Sequence, residues 1–211
     1  MKITIVLFTL VILGSCSTNN SNDKVELPNS DQPPSSKSTL VQDTTKWIDN
    51  FKKFRDAVYQ ADKVKTKEYI DFKSLNENSR IWQLIYLDNE KEFDKIPDDK
   101  IKSFTEKDFD KYFDKIFPKR FISCIQKIKR EELSKTGTYQ TSEFKEGKAT
   151  TYLMYVTYDK TDSSLELNLA SNTVRKDENG EILDGGEFSV MYIFLVKKNG
   201  QIQLTSIGLA G

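Results

Sequence analysis

Residues 187–209 read EFSVMYIFLVKKNGQIQLTSIGL, and their period decides the fold class. Phe188, Val190, Tyr192, Phe194 and Val196 fall on one side of an extended chain, and Met191, Ile193 and Leu195 on the other, because successive side chains of a strand point to opposite faces. A strand apolar on both faces belongs in the middle of a sheet, one side covered by other elements and the other lining a concavity or an interface. Lys198-Asn199-Gly200-Gln201 then sets Asn-Gly between two β-rich runs, the strongest short-range mark of a hairpin.

Upstream, Tyr152–Tyr158 and Ser164–Ser171 are further β-rich runs, so four to six antiparallel strands are expected after Thr138. Before Thr138 the apolar period is helical. Trp47, Phe51, Phe54, Val58 and Ala61 line one face of a helix over Thr44–Asp62, opposite Lys52, Lys53 and Gln60. A short helical piece at Lys63–Glu68 leads to Tyr69-Ile70-Asp71-Phe72 and a polar turn at Asn76–Ser79. Ile81–Leu87 is apolar all round and fits strand or buried helix; we read it as helix. Thr105 is placed to cap the next helix, with Asp108 at the capping-box position and Phe104 stapled on Phe109. Phe109, Tyr112, Phe113, Ile116 and Phe117 form its stripe, and Pro118 breaks it. A following helix buries Phe121, Ile122, Ile125 and Ile128 and ends at Gly137. Helices first and an antiparallel sheet second make an α+β domain over residues 44–211.

That order resembles the nuclear transport factor 2-like, or cystatin-like, superfamily, in which a curved sheet wraps a helix layer. Phe51-x-x-Phe54-Arg55-x-Ala57-Val58, Tyr69-Ile70-Asp71-Phe72, Ile81-Trp82, Phe104-Thr105-x-x-Asp108-Phe109 and Ala210-Gly211 are also similar to motifs of uncharacterised Bacteroidota lipoproteins. These motifs serve packing and capping, so the resemblance implies a fold and no activity.

Residues 1–16 read MKITIVLFTLVILGSC: one lysine, an apolar run of signal-peptide length, then Leu13-Gly14-Ser15-Cys16. The last four residues resemble the lipobox of bacterial lipoproteins. The resemblance implies cleavage of residues 1–15, a diacylglyceryl thioether on Cys16 and acylation of its amine. Two or more acyl chains anchor a protein stably where one does not. The alternative is an ordinary secretory leader with an incidental cysteine. Residues 16–43 are rich in Ser, Asn, Asp and Pro and are expected to be a disordered tether holding the domain roughly 25–30 Å from a bilayer. No acidic cluster follows Cys16, which by the same resemblance points to the outer membrane, facing the periplasm.

Lys+Arg and Asp+Glu both number 32, so no bulk attraction to nucleic acid is expected. The chain has no histidine. Ser-His-Asp and Cys-His catalysis and imidazole metal sites are therefore excluded. With Cys16 lipidated, Cys124 has no disulfide partner; Arg120 and Lys127 flank it, and a structural thiol is favoured over a reactive one. Asp177, Glu178, Asn179, Gly180, Glu181, Asp184 and Glu187 gather oxygen ligands. Gly180 falls at the fourth position, not the sixth of a calcium loop, so an acidic turn is favoured and neither metal nor cofactor is expected.

Enzymes on the resembled fold use Tyr or Asp inside the concavity, which makes Tyr152, Tyr155, Tyr158, Tyr192, Asp71, Asp108 and Asp110 the candidates. No spacing pairs them. The leading expectation is a non-enzymatic envelope lipoprotein binding a small ligand or a protein partner on the open sheet face. Dehydratase or isomerase chemistry with Asp and Tyr, and a structural role in an envelope assembly, are the alternatives.

Overall fold

The computed structural model describes residues 46–147, 149–176, 179, 181–183 and 185–211. The helices α1 (Lys46–Tyr59), α2 (Lys63–Lys67), α3 (Phe72–Asn78), α4 (Ile81–Ile85), α5 (Glu90–Phe93), α6 (Glu106–Ile116), α7 (Lys119–Ile125) and α8 (Arg130–Thr136) precede all the strands. These are β1 (Thr138–Gln140), β2 (Phe144–Glu146), β3 (Thr150–Asp159), β4 (Ser164–Thr173), β5 (Arg175–Lys176), β6 (Ile182–Leu183), β7 (Glu187–Val196) and β8 (Ile202–Ala210). The main sheet is antiparallel and six-stranded, in the order β1-β3-β4-β7-β8 with β2 also on β3; β5 and β6 pair separately. The chain is thus α+β, helices then an open antiparallel sheet, with β7 inside the sheet as its two apolar faces require.

α1 buries Trp47, Phe51, Phe54, Ala57 and Val58. Ala61, expected on that stripe, is instead exposed at φ +51°. The helix stops short because Asp62 N–H turns back to Ala57 C=O at 2.9 Å and Ala61 N–H to Val58 C=O at 3.1 Å, a left-handed termination, and Asp62 then caps α2.

The polar turn expected at Asn76–Ser79 is also corrected. Asp71 caps α3 through Ser74 N–H, and the helix runs on through Asn78. Asn76 bonds Phe104 C=O and accepts from Phe104 N–H, so its polarity serves a tertiary contact rather than a turn. Ile81–Ile85 is helical as read. The capping box of α6 is complete, with Thr105 and Asp108 each bonding the other's backbone; Phe72 touches the rings of both Phe104 and Phe109. The helix expected from Pro118 to Gly137 is two helices, α7 and α8. Lys127 and Ile128 turn onto Cys124 and Ile125 carbonyls, while Arg55 Nη1 donates to Ile128 C=O at 3.2 Å.

Helices and sheet meet through aromatic rings. Phe54 lies edge-on to Phe194 at 5.0 Å, Phe121 packs on Tyr192 at 4.5 Å, and Trp47 stacks on Tyr158 at 4.4 Å. Tyr192 is fully buried, and its hydroxyl donates to Ile116 C=O at 2.7 Å. One edge of the sheet is closed by the helical segment: Leu204 N–H bonds Tyr69 C=O, Asp71 N–H bonds Leu204 C=O, and Arg80 N–H bonds Ile207 C=O. Across the β7–β8 pair the register shifts between Ile193 and Phe194, leaving Thr205 as an extra residue that bends the strand.

The hairpin at Asn199-Gly200 forms, with positive φ at Gly200 (+83°) and not at Asn199. A Cβ on Gly200 would sit 2.5 Å from Lys46 Cβ and 2.9 Å from Lys46 C, so this glycine also admits the first turn of α1. Gly200→Ala is expected to cost about 2 kcal/mol or more, combining left-handed strain with displacement of α1; urea unfolding measures it.

Candidate functional site

Strand alternation sorts the sheet into two faces. Met154, Val156, Leu165, Leu167, Leu169, Val190, Tyr192 and Phe194 are buried on the helix side. On the other side every residue of the register rows is half-buried or exposed. One such row runs Gln140, Tyr155, Asn168, Met191 and Gly208, and the next runs Leu153, Ala170, Ser189 and Ala210. Tyr155 is 45% and Leu195 42% exposed. This is a mixed surface, apolar in Leu153, Tyr155 and Ile193 and polar in Thr151, Asn168 and Ser189.

A groove of about 550 Å³ occupies that face, with Leu153, Tyr155, Asn168, Asn172 and Ser189 in its lining and Glu143 and Glu187 also contributing. A second of about 310 Å³, walled by Arg80, Gln83 and Tyr86, shares Phe188, Ala210 and Gly211 with it. The two therefore adjoin where β7 begins and β8 ends. Asn168 Oδ1 is buried and accepts no hydrogen bond; leaving such an acceptor unpaired costs about 1–3 kcal/mol. Lys145 faces Thr151 at the outer edge of the row that holds Asn172 and Glu187.

Of the tyrosines and aspartates singled out by sequence, Tyr155 alone reaches this groove, and Glu187 of the acidic group also lines it. Tyr152, Tyr158 and Tyr192 lie on the opposite parity. Arg120 sits 5.5 Å from the Tyr152 ring centre. Burial pushes the Tyr158 and Tyr192 hydroxyls up, with the nearby Arg120 charge offsetting only part of the effect at Tyr192.

Asp71 is held below the ordinary carboxylate range, chiefly by Ser74 N–H. At Asp108 burial pushes the carboxyl up, but bonds from Thr105 and Lys102 outweigh it and the net shift is down. Asp110 pairs with Lys67 at 3.1 Å. All three aspartates are engaged at helix ends or in ion pairs and lie outside the groove lining. Cys124 is buried, and burial pushes its thiol up despite Lys127 and Thr141, the environment of an inert thiol.

Cys16, the leader and the tether fall outside the described residues, as do Asp177, Glu178, Gly180 and Asp184 of the acidic turn. Among the described residues no group of three or more His, Cys, Asp or Glu is placed to hold a metal, and no helix is long and apolar enough to cross a membrane. Sequence reasoning passed over Asn168, Asn172 and Ser189. The available signal was the alternation of Asn168 and Asn172 against Leu165, Leu167 and Leu169, and of Ser189 against Phe188 and Val190. No protein-family model, curated protein or solved structure matches the chain.

A depressed native pKa stabilises the fold above the unfolded value, near 3.9 for Asp, and that contribution is lost as pH falls through the native value. Melting temperature is therefore expected to drop as pH is lowered below about 4. Replacing both caps, Asp71→Asn with Asp108→Asn, should flatten that slope in a pH series of thermal melts; an unchanged slope would place the acid sensitivity elsewhere.

Proposed function

We propose that this chain is a lipid-anchored protein of a bacterial cell envelope, held at Cys16 to the outer membrane and facing the periplasm, whose domain binds a ligand or a protein partner on the open sheet face. The observation that carries the binding reading is the groove on a face whose central strands keep apolar side chains half exposed, with a second groove adjoining it around the end of the sheet. Pockets that bind small molecules combine apolar walls with a few placed polar groups, and this face offers both.

The helix-then-sheet order and the helix-covered inner face support grouping the domain with the nuclear transport factor 2-like folds, and the packing motifs support kinship with Bacteroidota lipoproteins. A dehydratase or isomerase would need a carboxylate free to exchange protons. Asp71, Asp108 and Asp110 are instead engaged in caps and ion pairs, which favours binding over catalysis. The leader's Leu-Gly-Ser-Cys and the polar stretch after it support the anchor.

Two measurements test the reading. Cys16→Ala should shift the protein from the detergent phase to the aqueous phase in a Triton X-114 partition, and unchanged partitioning would overturn the anchor. A photo-crosslinking residue at position 155 or 191 should capture a ligand or partner in intact cells that the same residue at position 52, on the outer face of α1, does not. Capture at position 52 alone would overturn the sheet face as the docking surface.

A further inference from the structure

We infer that the groove on the open sheet face is a binding site for a neutral oligosaccharide. The inference rests on the binding reading above and adds the chemical class of the ligand. An anionic ligand is disfavoured because the described lining of the larger groove contains two glutamates and no lysine or arginine. A small cation has no converging pair of carboxylates to hold it: Glu187 belongs to the outermost row, two rows from Asn168, and Glu143 lies outside the strands. A purely apolar ligand would leave Asn168, Asn172, Thr151 and Ser189 dehydrated without partners.

A pyranose ring fits what remains. Its C–H face is apolar and matches the half-exposed ring of Tyr155, an aromatic that offers large contact area at low entropic cost. Its hydroxyls are both donors and acceptors, as are the hydroxyl and carboxamide side chains around that ring. Asn168 stands beside Tyr155 across the β3–β4 pair and belongs to the groove lining. Length follows from the second groove, which adjoins the first at Phe188, Ala210 and Gly211 on the α4 side of the sheet's end: the site suits several linked units rather than one.

The test uses the domain-bearing chain without its leader, isotopically labelled, titrated separately with cellohexaose, maltohexaose, xylohexaose and spermine. At least one hexaose is expected to shift the amide signals of Leu153, Tyr155, Asn168 and Met191 saturably, leaving those of α1 unmoved. Tyr155→Ala should weaken that binding about tenfold in a domain whose amide spectrum remains that of the folded protein. Saturable shifts on this face from spermine alone would overturn the saccharide class and leave the docking surface in place. No response to any of the four also overturns it; crosslinking at position 155 then reports separately whether the face binds something else.

Discussion

The hydroxyl of Tyr192 donating to the carbonyl of Ile116 is the buried hydrogen bond that ties the centre of the sheet to the helices. Pro118 ends α6, so Ile116 C=O has lost the helical N–H that would otherwise reach it. A buried carbonyl in that state is costly, and only a donor from outside the helix can repair it. Tyr192 supplies that donor from the centre of β7, and its ring stacks on Phe117 and packs at a tilt against Phe121. Sequence position 192 is thus constrained in two ways at once, by ring volume and by one hydroxyl. The parity of β7 follows from it: with Tyr192 facing the helices, Met191, Ile193 and Leu195 must face away.

That parity propagates across the sheet. β4 pairs with β7 so that Leu167 lies opposite Tyr192 and Asn168 opposite Met191; β3 then sets Val156 against Leu167 and Tyr155 against Asn168. A one-residue slip at any of these pairings would turn a row of leucines and valines to solvent. The composition of the open face is therefore fixed by burial on the other side. Tyr155, alone among the tyrosines considered from sequence, belongs to the face that the helix layer leaves uncovered.

Much of this was legible before any coordinates. The two-faced apolar pattern of residues 188–196, the Asn-Gly hairpin and the Thr105–Asp108 cap are local signals, and each is found where it was read. What was not legible depended on distant partners. Asn76 looks like a turn former until its carboxamide is seen spanning the backbone of Phe104. Ile125 and Ile128 keep helical spacing, and only Arg55, more than seventy residues earlier, reveals that the chain breaks between them. The site was less legible than the fold for a similar reason. Tyr152, Tyr155 and Tyr158 differ only in parity and spacing along one strand, and no local rule says which parity the helices will cover.

The closed edge of the sheet narrows the ways in which the domain can recognise anything. A strand edge offers a ready template for an incoming strand, but at β8 Leu204 and Ile207 already bond Tyr69, Asp71 and Arg80, and on the other side the edge is made by the three-residue strands β1 and β2. The helix-facing side is filled with rings. The long strands then meet a partner through side chains on the open face, where affinity comes from shape and hydrogen bonding rather than from a continued ladder. A surface of that kind, grooved, half-polar and carrying the exposed ring of Tyr155, discriminates by where hydroxyls and ring faces lie, which is a distinction among extended polar molecules more than among apolar ones.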